Sequence, residues 1–173
     1  GMRAGTMVAA IKSLFSANGH MQRLPETLSA WSNIIRQMNL GNLYMAMSLL
    51  RIEKNRMIIA NAGMPPAMLY RDKENKVEQV VLKSMPLGGA LDYPYDEQTL
   101  AVGAGDTLLL MSDGFVELFN SDDEMYDERA IPTFARIAQQ SPQEIINSLE
   151  RECLLWRGER PQNDDITFIV IKF

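Results

Sequence analysis

The order of patterns along this chain of 173 residues predicts an α+β fold. Two stretches with apolar residues at helical spacing open the sequence, and two more lie shortly before its end. Between these helix pairs are short apolar runs joined by connections of hairpin length, and one further run closes the chain. Strands that cluster between helices, rather than alternating with them, favour antiparallel sheets over a doubly wound parallel sheet. The length is typical of a single domain, so we expect residues 1–173 to form one domain with its own core.

The first two elements are predicted to be helices that form a hairpin. Residues 4–17 are rich in Ala and carry apolar side chains at helical spacing, and Asn18-Gly19 is a helix stop signal. The second helix begins near Pro25, which suits a first helical turn, and its apolar stripe continues to about Asn39. Stripes of this kind indicate core packing more than a cofactor site.

The middle of the chain is predicted to be a meander of antiparallel strands. The predicted strands are residues 44–50, 57–62, 67–70, 77–82, 96–102 and 107–111. The fifth of these is expected at a sheet edge. Two helices follow, at residues 128–139 and 141–157, and a final strand is predicted at residues 166–173. The second of these helices opens with Ser-Pro-Gln-Glu, the pattern of a capped helix start.

One predicted strand organises the rest of the chain. Gly105-Asp106 opens an almost entirely apolar run, long enough for a strand buried on both faces, and Ser-Asp-Gly at residues 112–114 ends it. The run therefore places the carboxylate of Asp113 at the end of a buried strand, where Gly114 is expected to let the backbone turn sharply. Far downstream, Asp164 and Asp165 precede the last apolar run. Two acidic tips on two core strands would converge on one hard cation, since Mg²⁺ and Mn²⁺ favour carboxylate and water oxygens.

The same residues also fit a simpler structure. Asp-Gly between apolar runs is a leading hairpin signal, and the return strand would then contain Val116, Leu118 and Phe119. Asp164 and Asp165 would then be ordinary polar loop residues before a C-terminal strand. On spacing alone, both interpretations stay open.

Composition excludes several functions. The formal net charge of −5 argues against nucleic acid as the main partner. No apolar run approaches the roughly 20 residues that span a bilayer, and no leader opens the sequence, so we expect no membrane segment and a cytoplasmic location. The single cysteine, Cys153, lies in a helical pattern and is expected to be a small buried hydrophobe. The single histidine, His20, lies in a polar connection and gives little basis for a Ser-His-Asp triad.

Four motifs in order give the chain a family resemblance. They are Asn-Ala-Gly-Met-Pro-Pro at residues 61–66, Met-Pro-Leu-Gly at 85–88, Gly-Asp at 105–106 followed by Ser-Asp-Gly at 112–114, and Asn-Asp-Asp-Ile-Thr at 163–167. In this order, with this spacing of helices and strands, the sequence resembles the stage II sporulation protein E branch of the metal-dependent (type 2C) protein phosphatases. The resemblance extends over essentially the whole chain.

The resemblance implies a β-sandwich flanked by helix pairs, with two Mn²⁺ or Mg²⁺ ions at one end. Asp113 and Asp164 match metal-ligand aspartates with a catalytic role, and Gly114 and Asp165 match the positions beside them in the metal-binding motifs. Two such metals bind phosphate and activate a water for in-line attack, without a covalent enzyme intermediate. The implied function is a serine/threonine protein phosphatase of bacterial signalling that acts on a phosphorylated regulatory protein, by analogy an anti-sigma-factor antagonist.

The sequence also departs from the family pattern. An Asp-x-x-Gly-His-Gly segment, with a further metal aspartate, would precede the first helix, and Gly1 is either its last glycine or a tag remnant. Met64 stands where relatives often have His. We therefore expect a domain that lacks its N-terminal strands, an incomplete metal site that binds Mn²⁺ weakly, no activity from these residues alone, and self-association through exposed sheet edges.

Two other functions are compared with the phosphatase. A non-catalytic regulatory module that binds a partner through its helix pair or sheet face is the main alternative. A phosphohydrolase of the haloacid dehalogenase type would need a nucleophilic aspartate two residues before Asp113, where this chain has Met111, and we reject it.

Overall fold

The computed structural model describes residues 2–17 and 23–173. Its helices are α1 (Met2–Ala17), α2 (Leu24–Gln37), α3 (Asp113–Val116), α4 (Asp127–Ile137) and α5 (Pro142–Arg157), with a 3-10 turn at Asp72–Glu74. Its strands are β1 (Met47–Glu53), β2 (Arg56–Ala62), β3 (Ala67–Arg71), β4 (Lys76–Val80), β5 (Glu97–Ala101), β6 (Thr107–Met111) and β7 (Phe168–Lys172). The predicted α+β class is confirmed. Gly1, the stop signal Asn18-Gly19 and His20 lie outside the described residues.

The strands form two antiparallel sheets. One has the order β1-β2-β5 and the other β4-β3-β6-β7. The predicted simple meander is wrong, because β2 and β3 are consecutive in the chain but belong to different sheets. Gly63, with a φ of 78°, and Pro65-Pro66 separate them, and proline cannot donate a ladder hydrogen bond. Strand β5 lies at a sheet edge, as predicted.

The chain divides into two compact units. The first comprises Gly1–Met64 and Leu82–Ala101, and contains α1, α2 and the three-stranded sheet. Its core joins apolar residues of the two helices to residues of that sheet and to Leu87 of the loop before β5; the helix and sheet residues include Met7, Ile11, Leu28, Trp31, Ile35, Leu49 and Ile58. Burial of the two helical stripes is confirmed for Met7, Ile11, Leu28, Trp31 and Ile35, whereas Phe15 and Ile34, predicted in the same stripes, are 54% and 38% exposed.

The second unit comprises Pro65–Val81 and Val102–Phe173 and contains the four-stranded sheet with α3, α4 and α5. Its core includes Met68, Tyr70, Leu109, Phe115, Tyr126, Phe134, Ile145 and Leu149. Helix α5 begins with the predicted capping box, in which Ser141 and Glu144 exchange hydrogen bonds between side chain and backbone. Cys153 lies in α5 and is 6% exposed, as expected for a small buried hydrophobe.

The lengths and compositions of the helices test the expectation that the chain has no membrane segment. None of the helices in the described part of the chain combines the length and the apolar composition needed to cross a bilayer.

Candidate metal centre

Antiparallel pairing of β6 with β7 brings the two acidic tips together. The ladder ends with Met111 opposite Phe168, so the residues that follow β6 face those that precede β7. Asp113 therefore lies at the same end of the sheet as Asp164 and Asp165, in the arrangement that the two tips predicted.

Ser112 ties the two tips to each other. Its hydroxyl donates a hydrogen bond to the carbonyl oxygen of Asp165 at 3.1 Å and accepts one from the backbone amide of Thr167 at 2.9 Å. Its own backbone amide donates to the Thr167 carbonyl at 3.1 Å. Sequence reasoning missed this role, because a serine at the end of a strand has no local feature that reveals a partner 53 residues away.

Gly114 is required by close approach rather than by an unusual backbone angle. It is buried in α3, where the backbone is helical, so the predicted reason, a sharp turn available to glycine, is wrong. A Cβ atom at this position would lie 2.5 Å from the carbonyl oxygen of Asp165 and 3.3 Å from that of Asp164. Any side chain here would push the second acidic tip away from the first.

The hairpin interpretation of Asp113-Gly114 is excluded. The residues after β6 form α3, and the neighbours of β6 in its sheet are β3 and β7. Phe115 and Leu118, three residues apart, are both buried, which is the spacing of a helical turn rather than of a strand. Phe119 makes an isolated bridge to Met125 instead of joining a return strand.

The carboxylates at this end of the sheet are exposed and are oriented by local bonds. Asp113 accepts a hydrogen bond from the backbone amide of Gly114 at 3.0 Å, and Asp164 accepts one from that of Asp165 at 2.7 Å. In the described part of the chain, neither these two residues nor Asp165 forms an ion pair with Lys or Arg. Accessible carboxylate oxygens without a cationic side chain are suitable ligands for a hard divalent cation.

These residues fit a divalent cation in their chemistry but supply only part of a ligand set. Within residues 2–17 and 23–173, no group of three or more His, Cys, Asp or Glu side chains is arranged to hold a metal ion. The metal-binding roles of Asp113, Gly114, Asp164 and Asp165 therefore stay predictions.

The other two motifs meet in the first unit, where they have a structural role. The Asn61 side chain donates to the carbonyls of Met64 at 2.8 Å and Leu82 at 3.0 Å, and accepts from the Met64 amide at 3.2 Å. A Cβ on Gly63 would lie 3.0 Å from Pro86, so the Asn-Ala-Gly and Met-Pro-Leu-Gly segments are in close contact.

Comparison with known proteins agrees with the resemblance of the motifs. The model of the family described as stage II sporulation protein E (SpoIIE) matches residues 1–173. Phosphoserine phosphatase RsbU of Bacillus subtilis (strain 168) is 26% identical over 165 residues, which are 88% of this chain and 48% of RsbU. The chain thus spans about half the length of this curated relative.

Solved structures show the same fold. The SiaA-PP2C domain of Pseudomonas aeruginosa superposes with a TM-score of 0.85 at 19% identity, over 99% of this chain and 69% of that one. The Mn-presoaked phosphatase domain of SpoIIE from Bacillus subtilis superposes with a TM-score of 0.63 at 21% identity, over 94% of this chain and 72% of that one. The PP2C-like fold implied by the motifs is therefore confirmed.

Proposed function

Because this chain belongs to the stage II sporulation protein E family, we propose that it is the major part of a metal-dependent serine/threonine protein phosphatase domain of bacterial signalling. The observation that carries the proposal is the Ser112 bridge, which holds the strand end bearing Asp113 against the segment bearing Asp164. Two segments with exposed carboxylates, one following β6 and one preceding β7, are held together by the contact of Gly114 with Asp165 and form a support suited to cation binding. A purely structural turn would not need the close contact between Gly114 and Asp165.

The residues have distinct tasks in this proposal. Asp113 and Asp164 hold Mn²⁺ or Mg²⁺ on their carboxylate oxygens, Asp165 lies beside them, and Gly114 permits the close approach and contributes backbone to the site. When bound, a pair of such ions binds the phosphate and makes a water acidic enough for in-line attack. Ser112 holds the segment of Asp165, so that both carboxylate-bearing segments keep one relative position.

The substrate is proposed from the relatives. RsbU carries the name phosphoserine phosphatase, and we propose that this chain also acts on phosphoserine or phosphothreonine. The partner would be a phosphorylated regulatory protein in the cytoplasm, by family analogy an anti-sigma-factor antagonist. The chain covers 48% of RsbU, so the substrate and partner belong to the proposal.

We further propose that residues 1–173 do not catalyse the reaction alone. Among the described residues, no third metal-binding side chain joins the acidic tips, and two-metal hydrolysis requires that both ions be held. The same observation favours the second candidate, a phosphatase-like module that binds a partner without catalysis. The family match over residues 1–173 supports the view that both compact units belong to one phosphatase-like domain.

Calorimetric titration with Mn²⁺ tests the proposal. We expect weak binding to the chain and its loss in both Asp113→Asn and Asp164→Asn. Binding that survives both substitutions would place the metal site elsewhere. A parallel assay follows Mn²⁺-dependent hydrolysis of p-nitrophenyl phosphate and a phosphoserine protein; metal binding without turnover is the expected result, and no metal binding would favour the partner-binding module.

A further inference from the structure

The C-terminal end of α5 and the residues just beyond it form hydrogen bonds with the segment that follows Asp113. The indole nitrogen of Trp156 donates a hydrogen bond to the carbonyl of Leu118 at 3.0 Å. Beyond the helix, Arg160 donates through Nη1 to the carbonyl of Asn120 at 2.7 Å and to the carboxylate of Asp123 at 2.5 Å. Its guanidinium carbon also lies 5.1 Å from the centre of the Phe119 ring.

The segment that Arg160 binds is a preformed turn. Asn120 is 8% exposed, and its side-chain oxygen accepts hydrogen bonds from the backbone amides of Asp122 and Glu124, both at 2.9 Å. Its amide group donates to the Glu124 carboxylate at 2.9 Å. Arg160, whose side chain is 29% exposed, therefore binds a turn whose shape does not depend on it.

Arg160 is also fixed within its own segment, which leads directly to the second acidic tip. Its backbone amide donates to the Arg157 carbonyl at 3.0 Å, and the Arg157 guanidinium donates to the Arg160 carbonyl at 2.8 Å. Further along, the Gln162 side chain donates to the Asp164 carbonyl at 2.7 Å. Residues 161–164 thus lie between two anchors, Arg160 on one side and the Ser112 bridge to Asp165 on the other.

We propose that Arg160 is a positioning residue for the candidate metal centre, which it serves by fixing residues 161–164 against the turn at Asn120–Asp123. Both acidic tips are joined to this contact, since the turn follows Asp113 in the chain and Arg160 precedes Asp164. The inference rests on the proposed function, because it concerns the metal of that site. Groups that orient metal ligands contribute about 10- to 100-fold to affinity, so loss of Arg160 should weaken Mn²⁺ binding about tenfold.

The test compares two arginines of the second unit that each form an ion pair, Arg160 with Asp123 and Arg136 with Glu152. Arg160→Met removes the anchor, whereas Arg136→Met removes the Arg136–Glu152 ion pair, which joins α4 to α5 without touching residues 161–165. Paramagnetic broadening of NMR signals during Mn²⁺ titration measures even weak affinity. We expect the apparent Kd to rise about tenfold in Arg160→Met and to stay unchanged in Arg136→Met. Arg160→Lys, which can still bind one acceptor, should recover part of the loss.

A second measurement needs no metal. Heteronuclear NOE values for residues 161–165 should fall in metal-free Arg160→Met and stay unchanged in Arg136→Met. If Arg160→Met does not fold, Asp123→Asn replaces it, because asparagine tolerates the φ of 61° at this position and only the charged acceptor is lost. That variant should show a smaller loss of affinity in the same direction.

The outcomes separate this inference from the proposed function. If Arg160→Met, or Asp123→Asn where that variant replaces it, binds Mn²⁺ with wild-type affinity, the positioning role of Arg160 is overturned. The metal centre itself still stands in that case, provided that Asp113→Asn loses Mn²⁺ binding. If Mn²⁺ still broadens the same signals in Asp113→Asn, or if Mn²⁺ broadens no signals of the wild type, both the metal centre and the positioning role of Arg160 are overturned.

Discussion

The two ends of strand β6 carry the same pair of residue types and use them differently. Gly105-Asp106 precedes the strand, and Asp113-Gly114 follows it. Asp106 is 8% exposed and accepts hydrogen bonds from the backbone amides of Gly103 at 3.1 Å and Asp72 at 3.0 Å. It also pairs with the Arg71 guanidinium at 3.3 Å. Asp113 is exposed and accepts one hydrogen bond, from the next residue's amide.

The difference shows what separates a structural carboxylate from one available to a ligand. The donors around Asp106 compensate its burial, so its oxygens serve the fold. Asp113 keeps accessible oxygen and forms no ion pair with Lys or Arg among the described residues, which leaves it available to an external cation. Residue type and position at a strand end do not distinguish the two; the number of donors folded around each carboxylate does.

The two ends of β6 also require glycine for different reasons. Gly105 has a φ of 93°, and a Cβ there would meet the Asp72 carboxylate at 2.7 Å, so both the backbone angle and the available space require glycine. Gly114 has a helical backbone and is required only by its contact with the carbonyl of Asp165.

The largest expected effect is at the buried end of the strand. Asp106→Ala removes the acceptor of two backbone amides and a carboxylate partner of Arg71, whose side chain is 17% exposed, and should cost about 3 kcal/mol of unfolding free energy. Urea denaturation measures it. Arg71 keeps its ion pair with Glu78, which limits the loss. A cost below about 0.5 kcal/mol, as for an ordinary surface change, would contradict the structural role of Asp106.

Gly114→Ala should have the next largest effect. The added methyl group lies 2.5 Å from the Asp165 carbonyl, and relief of such a clash costs about 2 kcal/mol while displacing Asp164 from Asp113. Gly103→Ala is the matched control near the other end of β6, since its Cβ meets nothing within 4 Å. Denaturation midpoints of the two variants should differ clearly, with Gly103→Ala near wild type. Equal midpoints would show that the second acidic tip moves aside without cost.

Asp113→Asn should separate stability from binding. Because the side chain is exposed and makes one local hydrogen bond, we expect the unfolding free energy to change by less than about 0.5 kcal/mol. Asp106→Asn, which puts an amide group beside the Arg71 guanidinium, should lower the denaturation midpoint much further. The contrast fails if the two asparagine variants unfold at the same urea concentration.

The smallest effect concerns pH and the buried thiol of α5. Burial, with Glu150 and Glu152 nearby, raises the pKa of Cys153 from 9.0 to about 11. The folded-state pKa exceeds the unfolded value, so this stabilisation is complete below pH 9 and is lost as pH rises toward 11.

Thiol labelling by Ellman's reagent at pH 8 should be slow in wild type and Asp113→Asn, and faster in Asp106→Ala, which opens more often. Fast labelling of the wild type would contradict the burial of Cys153.

The sequence by itself determined the elements whose signals are local. Ser141, Pro142 and Glu144 predicted the start of α5, because a capping box forms within four consecutive residues. The apolar period predicted the strands to within a few residues, and the two acidic tips predicted which end of the sheet would hold the carboxylates. The family motifs predicted the fold that the solved structures confirm.

Only the tertiary structure decided which strands pair and what each polar residue does. A strand edge offers the same amides and carbonyls to any neighbour, so the sequence could not show that β5 returns to β2 and β6 to β3. The bond from Ser112 to Asp165, the contact of Gly114 with Asp165 and the bond from the Asp72 amide to Asp106 all join residues that are distant in the chain. Such partners follow from packing, because hydrogen bonding and close approach depend on separation in space rather than along the chain.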